Sequence, residues 1–350
     1  MLETVRFSSQ VGDPAPPCYG MASDGSFYTF EAQYGRPAIL ILVGAEATGE
    51  LPAILAAMEP CRTSLASRGA DMFVIVDDNP LHLLDGDALS VRAIDCGGFL
   101  TRCGVGPRET LALVVDRNLR IAMRADPVRD PAIATACLAC LDALPSEQPR
   151  PVMMPAPAIV LPNLLSRAMC EQLIALFESS HTIDGTVARV DAAGRAANVI
   201  DHAKKHRRDM IVEPDSQLHR TLRDLLLDRC APEIVKAFQA RVAFTDRILV
   251  SRYDGPGGLF RRHRDNTAGN VAFREFALSV NLNAGEYHGG HLLFPEYNDH
   301  RHATSTGGGL IFSAAVLHEV APVTTGSRYV LLTFFHGQQA EECRLAQAFG

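Results

Sequence analysis

The sequence has no tryptophan, few aromatics and no surplus of basic charge. Of 350 residues 7% are aromatic, and 33 lysines and arginines face 40 aspartates and glutamates, a formal net charge of −7. That balance argues against a dedicated polyanion binder, because phosphate contacts need clustered lysine and arginine. The longest apolar runs, such as AILILVGA (38–45), fall far short of the roughly 20 residues that span a bilayer. The opening MLETVRFSSQVGD holds no apolar core of a secretory signal. There is no internal repeat and no low-complexity tract. The nine cysteines are odd in number and scattered, so a disulfide framework is not expected in a chain this long. Together these absences lead us to expect a soluble protein of a reducing cytoplasm, with no membrane partner and with nucleic acid disfavoured.

A chain of this length exceeds what one core usually serves, so two domains are expected. The stretch LPSEQPRPVMMPAPA (144–158) holds five prolines and no periodic pattern; proline removes donors and restrains the residue before it. We read residues 1–146 as one domain, 147–158 as a linker and 159–350 as a second domain. In the first, short apolar runs (ILILVG, 39–44; MFVIVDD, 72–78; TLALVVD, 110–116) alternate with helical patterns at 52–69 and 131–144, an α/β layer pattern. In the second, helices near 164–180 and 215–238 precede many short β-rich runs: RILVSRY (247–253), FALSVNLN (276–283), HLLFP (291–295), GLIFS (309–313) and RYVLLTFF (328–335). Gly, Asn and Pro separate most of them, as in a sandwich or barrel.

One charged segment, LFRRHRDNTAG (259–269), asks for a reading of its own. On a strand, His263 and Asp265 point to the same face and can converge on one ion. His318, in AAVLHEVAPV, is the candidate third ligand. Two histidines and one carboxylate leave up to three positions free on an octahedral Fe(II), enough for a bidentate co-substrate and dioxygen. Arg328 follows His318 across a turn (PVTTGS). If that turn joins adjacent antiparallel strands, Arg328 lies deep in the same barrel, where its planar fork needs an anion. A 2-oxo diacid meets both demands. Taken singly, each element also has a plain explanation: a solvated H-x-D turn, a satisfied core histidine, an arginine reaching solvent.

In combination the residues resemble the prolyl 4-hydroxylase-like branch of the 2-oxoglutarate/Fe(II) dioxygenases. The resemblance is carried by RYDGPGGLFRRHRD (252–265), LSVNLN (278–283), YHGGHLLFPEY (287–297) and HEVAPVTTGSRY (318–329). Upstream, 157–178 resembles that family's opening strand and helix, and HRRDMIV (206–212) its substrate-side strand. The resemblance implies an α+β double-stranded β-helix (jelly roll) buttressed by helices. It implies that His263, Asp265 and His318 bind iron, that Arg328 anchors the distal carboxylate of 2-oxoglutarate, and that Tyr253 also hydrogen-bonds this co-substrate. Ascorbate is a further candidate cofactor. The implied reaction hydroxylates an unactivated C–H of a prolyl or other amino-acid or peptidyl residue, while 2-oxoglutarate becomes succinate and CO2. Related halogenases lack the carboxylate, so Asp265 favours hydroxylation. Two departures, His291 after the glycine pair and His336 at the end of the last strand, bear on the substrate.

The first half resembles the peroxiredoxin/thioredoxin-like fold through VGDPAPP (11–17), SDGSFYTF (23–30), GRPAILILV (35–43) and LALVVDRNLRI (111–121). The family's peroxidatic cysteine follows the strand spelled here ILILVG, yet the sequence continues AEATGELPAIL, with no C-x-x-C. The resemblance therefore implies a domain without peroxidase chemistry, suited to binding a partner, forming a homodimer or positioning substrate. Cys96 and Cys103 offer a redox pair in principle, Cys61 falls too late in its helix, and Cys137 and Cys140 have core spacing. Of the remaining features, AKKHRRD (203–209) is expected to be a solvated face, unless it rims the pocket, where it would attract an acidic peptide or nucleic-acid substrate. NDHRH (298–302) is expected to be a mobile loop over the pocket mouth, and Gly307–Gly309 a turn. Two competing readings stay open: a thiol-redox protein acting through the first domain, and a barrel that holds metal only to bind a partner.

Overall fold

A computed structural model describes residues 9–23, 25, 27–76, 91–95, 98–145, 151–190, 196–214 and 216–349. The chain divides into two compact units, Met1–Gln148 and Pro149–Gly350. Among the described residues no helix is long and apolar enough to cross a membrane.

The first unit is a seven-stranded sheet with helices. Its strands are β1 (Tyr19–Ala22), β2 (Phe27–Thr29), β3 (Ala38–Val43), β4 (Asp71–Val76), β5 (Val91–Asp95), β6 (Thr110–Val115) and β7 (Ile121–Ala125). Its helices are α1 (Leu51–Ala57), α2 (Glu59–Arg68), α3 (Phe99–Arg102) and α4 (Ile133–Ala143). The strand order is β2-β1-β5-β4-β3-β6-β7, with β3, β4 and β5 parallel and the rest antiparallel. Period-two alternation feeds two cores at once. Ile39, Ile41 and Val43 of β3 pack with residues of α1, α2 and α4, while Leu40 and Leu42 pack with Phe99 and Leu100. The helix expected over 52–69 is two helices that meet at Met58. Pro60 is the reason: proline in a helix interior removes a donor and clashes with the carbonyl four residues back, whereas the first turn tolerates it.

The second unit holds β8 (Ala158–Leu161), α5 (Arg167–Ser179), β9 (Ile183–Asp184), β10 (Thr186–Val190), β11 (Ala196–Ile200), β12 (Lys205–His206), β13 (Arg208–Ile211) and α6 (Gln217–Phe238). It continues with β14 (Phe244–Thr245), β15 (Leu249–Asp254), β16 (Leu259–His263), β17 (Phe276–Asn281), β18 (His288–Gly289), β19 (Leu292–Leu293) and β20 (Gly309–Ser313). The last elements are β21 (His318–Val320), β22 (Val323–Thr325), β23 (Ser327–His336) and α7 (Gln338–Phe349). An eight-stranded sheet, β8-β20-β17-β23-β15-β13-β9 with β14 on β23, accompanies a four-stranded one, β12-β16-β21-β19.

Helices α5 and α6 start at Ser166 and Ser216, whose hydroxyls accept from the backbone N–H three residues on. Their apolar faces, through Leu173, Phe177, Leu222 and Leu226, join Val250, Leu278 and Leu331 of the large sheet in one core. The sheet's other face shares a second core with the small sheet, where Tyr253, Phe312, Val330 and Phe334 meet Leu292 and Val320. The site lies in this second layer. The turn after His318 does not join adjacent strands: β21 pairs with β16 and β19 in the small sheet, and β23 with β15 and β17 in the large one. Arg328 therefore faces His318 from the opposite sheet. At Gly307 (φ 77°) a side chain would run into the carbonyl of Leu165, so this glycine is required by its turn.

Candidate active site

His263 ends β16 and His318 begins β21, and the two are register partners across the small sheet. Directly opposed residues present their side chains to the same face, so the pairing alone brings the imidazoles together, with centroids 4.2 Å apart. Asp265 lies two residues beyond β16, where its N–H donates to the Ala314 carbonyl at 2.9 Å. Its carboxylate reaches both rings, with Oδ1 3.4 Å from His263 Nε2 and Oδ2 3.3 Å from His318 Nε2. One donor atom from each residue lies within 4.8 Å of the others.

Each imidazole has its other nitrogen occupied. Nδ1 of His263 donates to the Arg261 carbonyl (2.8 Å) and Nδ1 of His318 to the Val316 carbonyl (2.9 Å). A carbonyl only accepts, so Nδ1 carries a proton, and in the neutral ring the lone pair is then on Nε2. This is the tautomer that a metal needs. Burial lowers the His318 pKa to about 4, keeping the ring neutral. Burial alone would raise Asp265, but His318 and then His263 hold its carboxyl down at about 2. Two imidazole nitrogens and one carboxylate oxygen make a donor set that fits a divalent transition metal such as Fe(II).

Aromatic side chains frame the group. Phe260 stacks on His263 with centroids 3.4 Å apart, and Phe312 meets His318 edge-on at 4.7 Å. Two further residues fix the loops. Glu296 pairs with Arg264 at 2.5 Å and accepts from the Leu317 N–H at 2.9 Å, tying together residues next to all three candidate ligands. Arg274, ion-paired with Asp246 at 2.5 Å, lies over Phe334 at 3.8 Å. Sequence reading missed both, since neither sits in the H-x-D…H…R pattern. Glu296, in FPEY, carried the one available signal: a carboxylate among apolar residues.

Arg328 and Tyr253 are register partners on β23 and β15. Both are buried, and the guanidinium lies 5.5 Å from the centre of the phenol ring. Arg328 Nε has no hydrogen-bond partner. An unpartnered buried guanidinium calls for an anion. Gly290 (φ 66°) makes room for it, because a Cβ there would come within 2.7 Å of Arg328 Cδ. The Tyr253 hydroxyl accepts from Arg207 at 2.8 Å, which leaves its own O–H free to donate. All five predicted site residues line one cavity of about 230 Å³ between the sheets.

The basic run at 203–209 is not a solvated face throughout. β12 belongs to the small sheet and β13 to the large one, so the chain changes sheets at Arg207. Lys205, Arg207 and Asp209 are buried while His206 and Arg208 are exposed, and Lys205 and Arg207 line the cavity. Burial, then Arg207, pushes the Lys205 amine down to about 7.

The other histidines lie elsewhere. His302 pairs with Leu292 in an antiparallel bridge and meets Phe294 edge-on at 5.0 Å. With His291 it lines a second cavity, of about 210 Å³, behind Arg328. NDHRH is thus partly anchored and not a free loop over the mouth. His336 is buried between Phe244 and Phe273 and bonds Glu341 at 2.7 Å. In the first unit Cys18, Cys61, Cys103 and Cys137 are buried and Cys140 is half-buried. Cys96 lies outside the described residues.

Residues 248–336 match the sequence model of the 2OG-Fe(II) oxygenase superfamily. A PKHD-type hydroxylase of Paracoccus denitrificans is 27% identical over 188 residues, 51% of this chain and 77% of that protein. Among solved structures, a prolyl-4-hydroxylase of Pseudomonas putida gives a TM-score of 0.39 at 16% identity, over 52% of this chain and 94% of that one. A prolyl hydroxylase of Trichoplax adhaerens, in complex with a hypoxia inducible factor peptide fragment, gives 0.42 at 18%, over 54% and 86%. The C-terminal region therefore has a 2OG-Fe(II) oxygenase domain, with PKHD-type hydroxylases among its relatives.

Proposed function

We propose that the second unit is an Fe(II)- and 2-oxoglutarate-dependent dioxygenase that hydroxylates a prolyl or other amino-acid or peptidyl residue. One observation carries this reading: the His263–Asp265–His318 group shares its cavity with the buried, unpartnered Nε of Arg328. A site that held metal for structure alone would need no anion anchor beside it. The two facing sheets support a double-stranded β-helix. In the first unit, the parallel β3–β4–β5 core with antiparallel β6 and β7 supports a thioredoxin-like domain without thiol chemistry.

His263 Nε2, His318 Nε2 and the Asp265 carboxylate would hold Fe(II). When bound, iron and 2-oxoglutarate supply the oxidation: the co-substrate loses CO2 to become succinate, and one atom of O2 enters the substrate as hydroxyl. The protein's share is position and solvent exclusion. Arg328 pairs with the distal carboxylate of 2-oxoglutarate. Tyr253, its phenol oxygen held by Arg207, donates its proton to the same co-substrate. Phe260 and Phe312 brace the imidazoles, and Phe334 closes the wall.

The test is anaerobic titration of the Fe(II)-loaded full chain with 2-oxoglutarate, followed by the visible charge-transfer band of the chelate. The band should form in the wild type and weaken or vanish in Asp265→Ala and Arg328→Ala. A wild type that binds iron and shows no band sinks the reading.

A further inference from the structure

The protein is acidic overall, yet among the described residues Asp265 is the single carboxylate on the cavity wall, against several basic side chains. Three of those bases have carboxylate partners just behind the wall, Arg328 is the proposed anchor of the diacid, and half-buried Lys204 makes no ion pair among the described residues. Arg207 pairs with Asp209 at 2.8 Å, Arg264 with Glu296 and Arg274 with Asp246. Two more, Lys205 and Arg247, lack a carboxylate of their own. Lys205, buried, donates to the Thr186 carbonyl at 3.0 Å, and its nearest carboxylate is Asp209 at 3.8 Å. Asp209 is already held by Arg207 and by the Ser251 hydroxyl at 2.6 Å. Two buried cations thus share one buried anion. Arg247 makes no ion pair among the described residues, and it lines the same cavity as Lys205.

The proposed co-substrate leaves this excess in place. A doubly charged metal and a doubly charged diacid cancel, and Arg328 is taken by the diacid. The excess also sits beside the site. The Lys205 amine lies over the ring of Phe260, 4.9 Å from its centre, and Phe260 stacks on His263. A group held by Lys205 is thereby one aromatic ring away from a candidate ligand. A cleft lined by one sign of charge with low-dielectric walls focuses its field on a small anion.

We propose that Lys205 and Arg247 recognise a carboxylate of the substrate, so that the hydroxylated molecule is an acidic one. This rests on the oxygenase reading for what happens next, but the carboxylate site is separately testable. The carboxylate has two possible sources, the free α-carboxyl of an amino acid or an acidic side chain of a peptide.

Two matched probe pairs separate them: N-acetyl-L-proline against N-acetyl-L-prolinamide, and acetyl-Pro-Asp-amide against acetyl-Pro-Asn-amide. Each is titrated calorimetrically into the anaerobic full chain with Fe(II) and 2-oxoglutarate. In one pair or both, the carboxylate should bind about tenfold tighter than its amide, as expected for a charge-assisted bond in a desolvated site. The preference should fall towards unity in Lys205→Met and in Arg247→Gln. Thermal melts report whether each variant folds, and exposed Arg247 carries the test if Lys205→Met does not. Equal binding within both pairs, no binding of either carboxylate at millimolar concentration, or a preference that survives the variants overturns the proposal. A wild type that keeps the preference but shows no 2-oxoglutarate band retains the carboxylate site and loses the oxygenase reading.

Discussion

In β3 every side chain from Ala38 to Val43 is buried, whereas in β16 burial declines from Leu259 towards Arg261 and Arg262 before His263 turns partly inward. The first strand is all cohesion. It serves two cores and leaves no polar group for chemistry. The second is two-faced, and its cavity-lining positions, Phe260 and His263, pass from core to site within one short strand. The same contrast holds for the reactive groups. The first unit hides most of its described thiols in its packed interior, where burial raises Cys140 and the hydrogen bond that Cys61 and Cys137 share raises Cys137 while lowering Cys61. The second unit sets its imidazoles against an open cavity and turns their lone pairs inward. A packed interior suppresses the chemistry of a side chain; a cavity with fixed partners exposes it.

Five measurements would break or sharpen this contrast. His318→Ala removes a buried donor that sits opposite His263. Iron content should drop and 2-oxoglutarate consumption should fall at least about a hundredfold, as read by metal analysis and succinate release. Arg328→Gln should keep iron but raise the KM for 2-oxoglutarate by roughly a hundredfold, the cost of losing one partner of a buried charged pair; an unchanged KM would place the anion elsewhere. In the first unit, Ile41→Ala should cost about 2–5 kcal/mol in chemical denaturation while the co-substrate's affinity stays as it was. Glu296→Ala frees the Leu317 N–H and Arg264, and should weaken iron binding about tenfold with no loss of the anion site. The smallest effect is a null one. A thiol reagent applied to the native protein should modify exposed Cys343 and leave Cys61, Cys103 and Cys137 untouched until denaturant is added, as mass spectrometry of the labelled peptides would show.

Much of the second unit was legible because its strands are short apolar runs cut by Gly, Asn and Pro. GLIFS (309–313) coincides with β20, and RYVLLTFF (328–335) lies within β23. The order H-x-D, H, R carries chemistry in its spacing, and the structure brings these residues to one cavity. What stayed hidden depends on pairing across the chain. Composition made AKKHRRD look like a surface, yet its period-two alternation, Lys205-x-Arg207-x-Asp209, was the better guide. A basic run turns inward only if a carboxylate two residues on, and a phenol 46 residues away, accept its charge. Glu296 was hidden for the same reason: its partners, Arg264 and Leu317, lie 32 residues before it and 21 after. The break at Met58 was legible and overlooked, since Pro60 stands inside the expected helix.

The opposition of His263 and His318 has a consequence for assembly. β16 has five residues and β21 three, and their pairing carries an irregularity between Phe260 and His263. Strands so short hold their alignment weakly, and a slip of one residue would reverse the faces of every side chain. Such a slip would send one imidazole to the outer surface and leave Asp265 with a single neighbour. The two rings therefore act as an alignment mark. Whatever grips both of them also stitches the small sheet in one frame, and a chain mis-stitched at this seam would lose its grip.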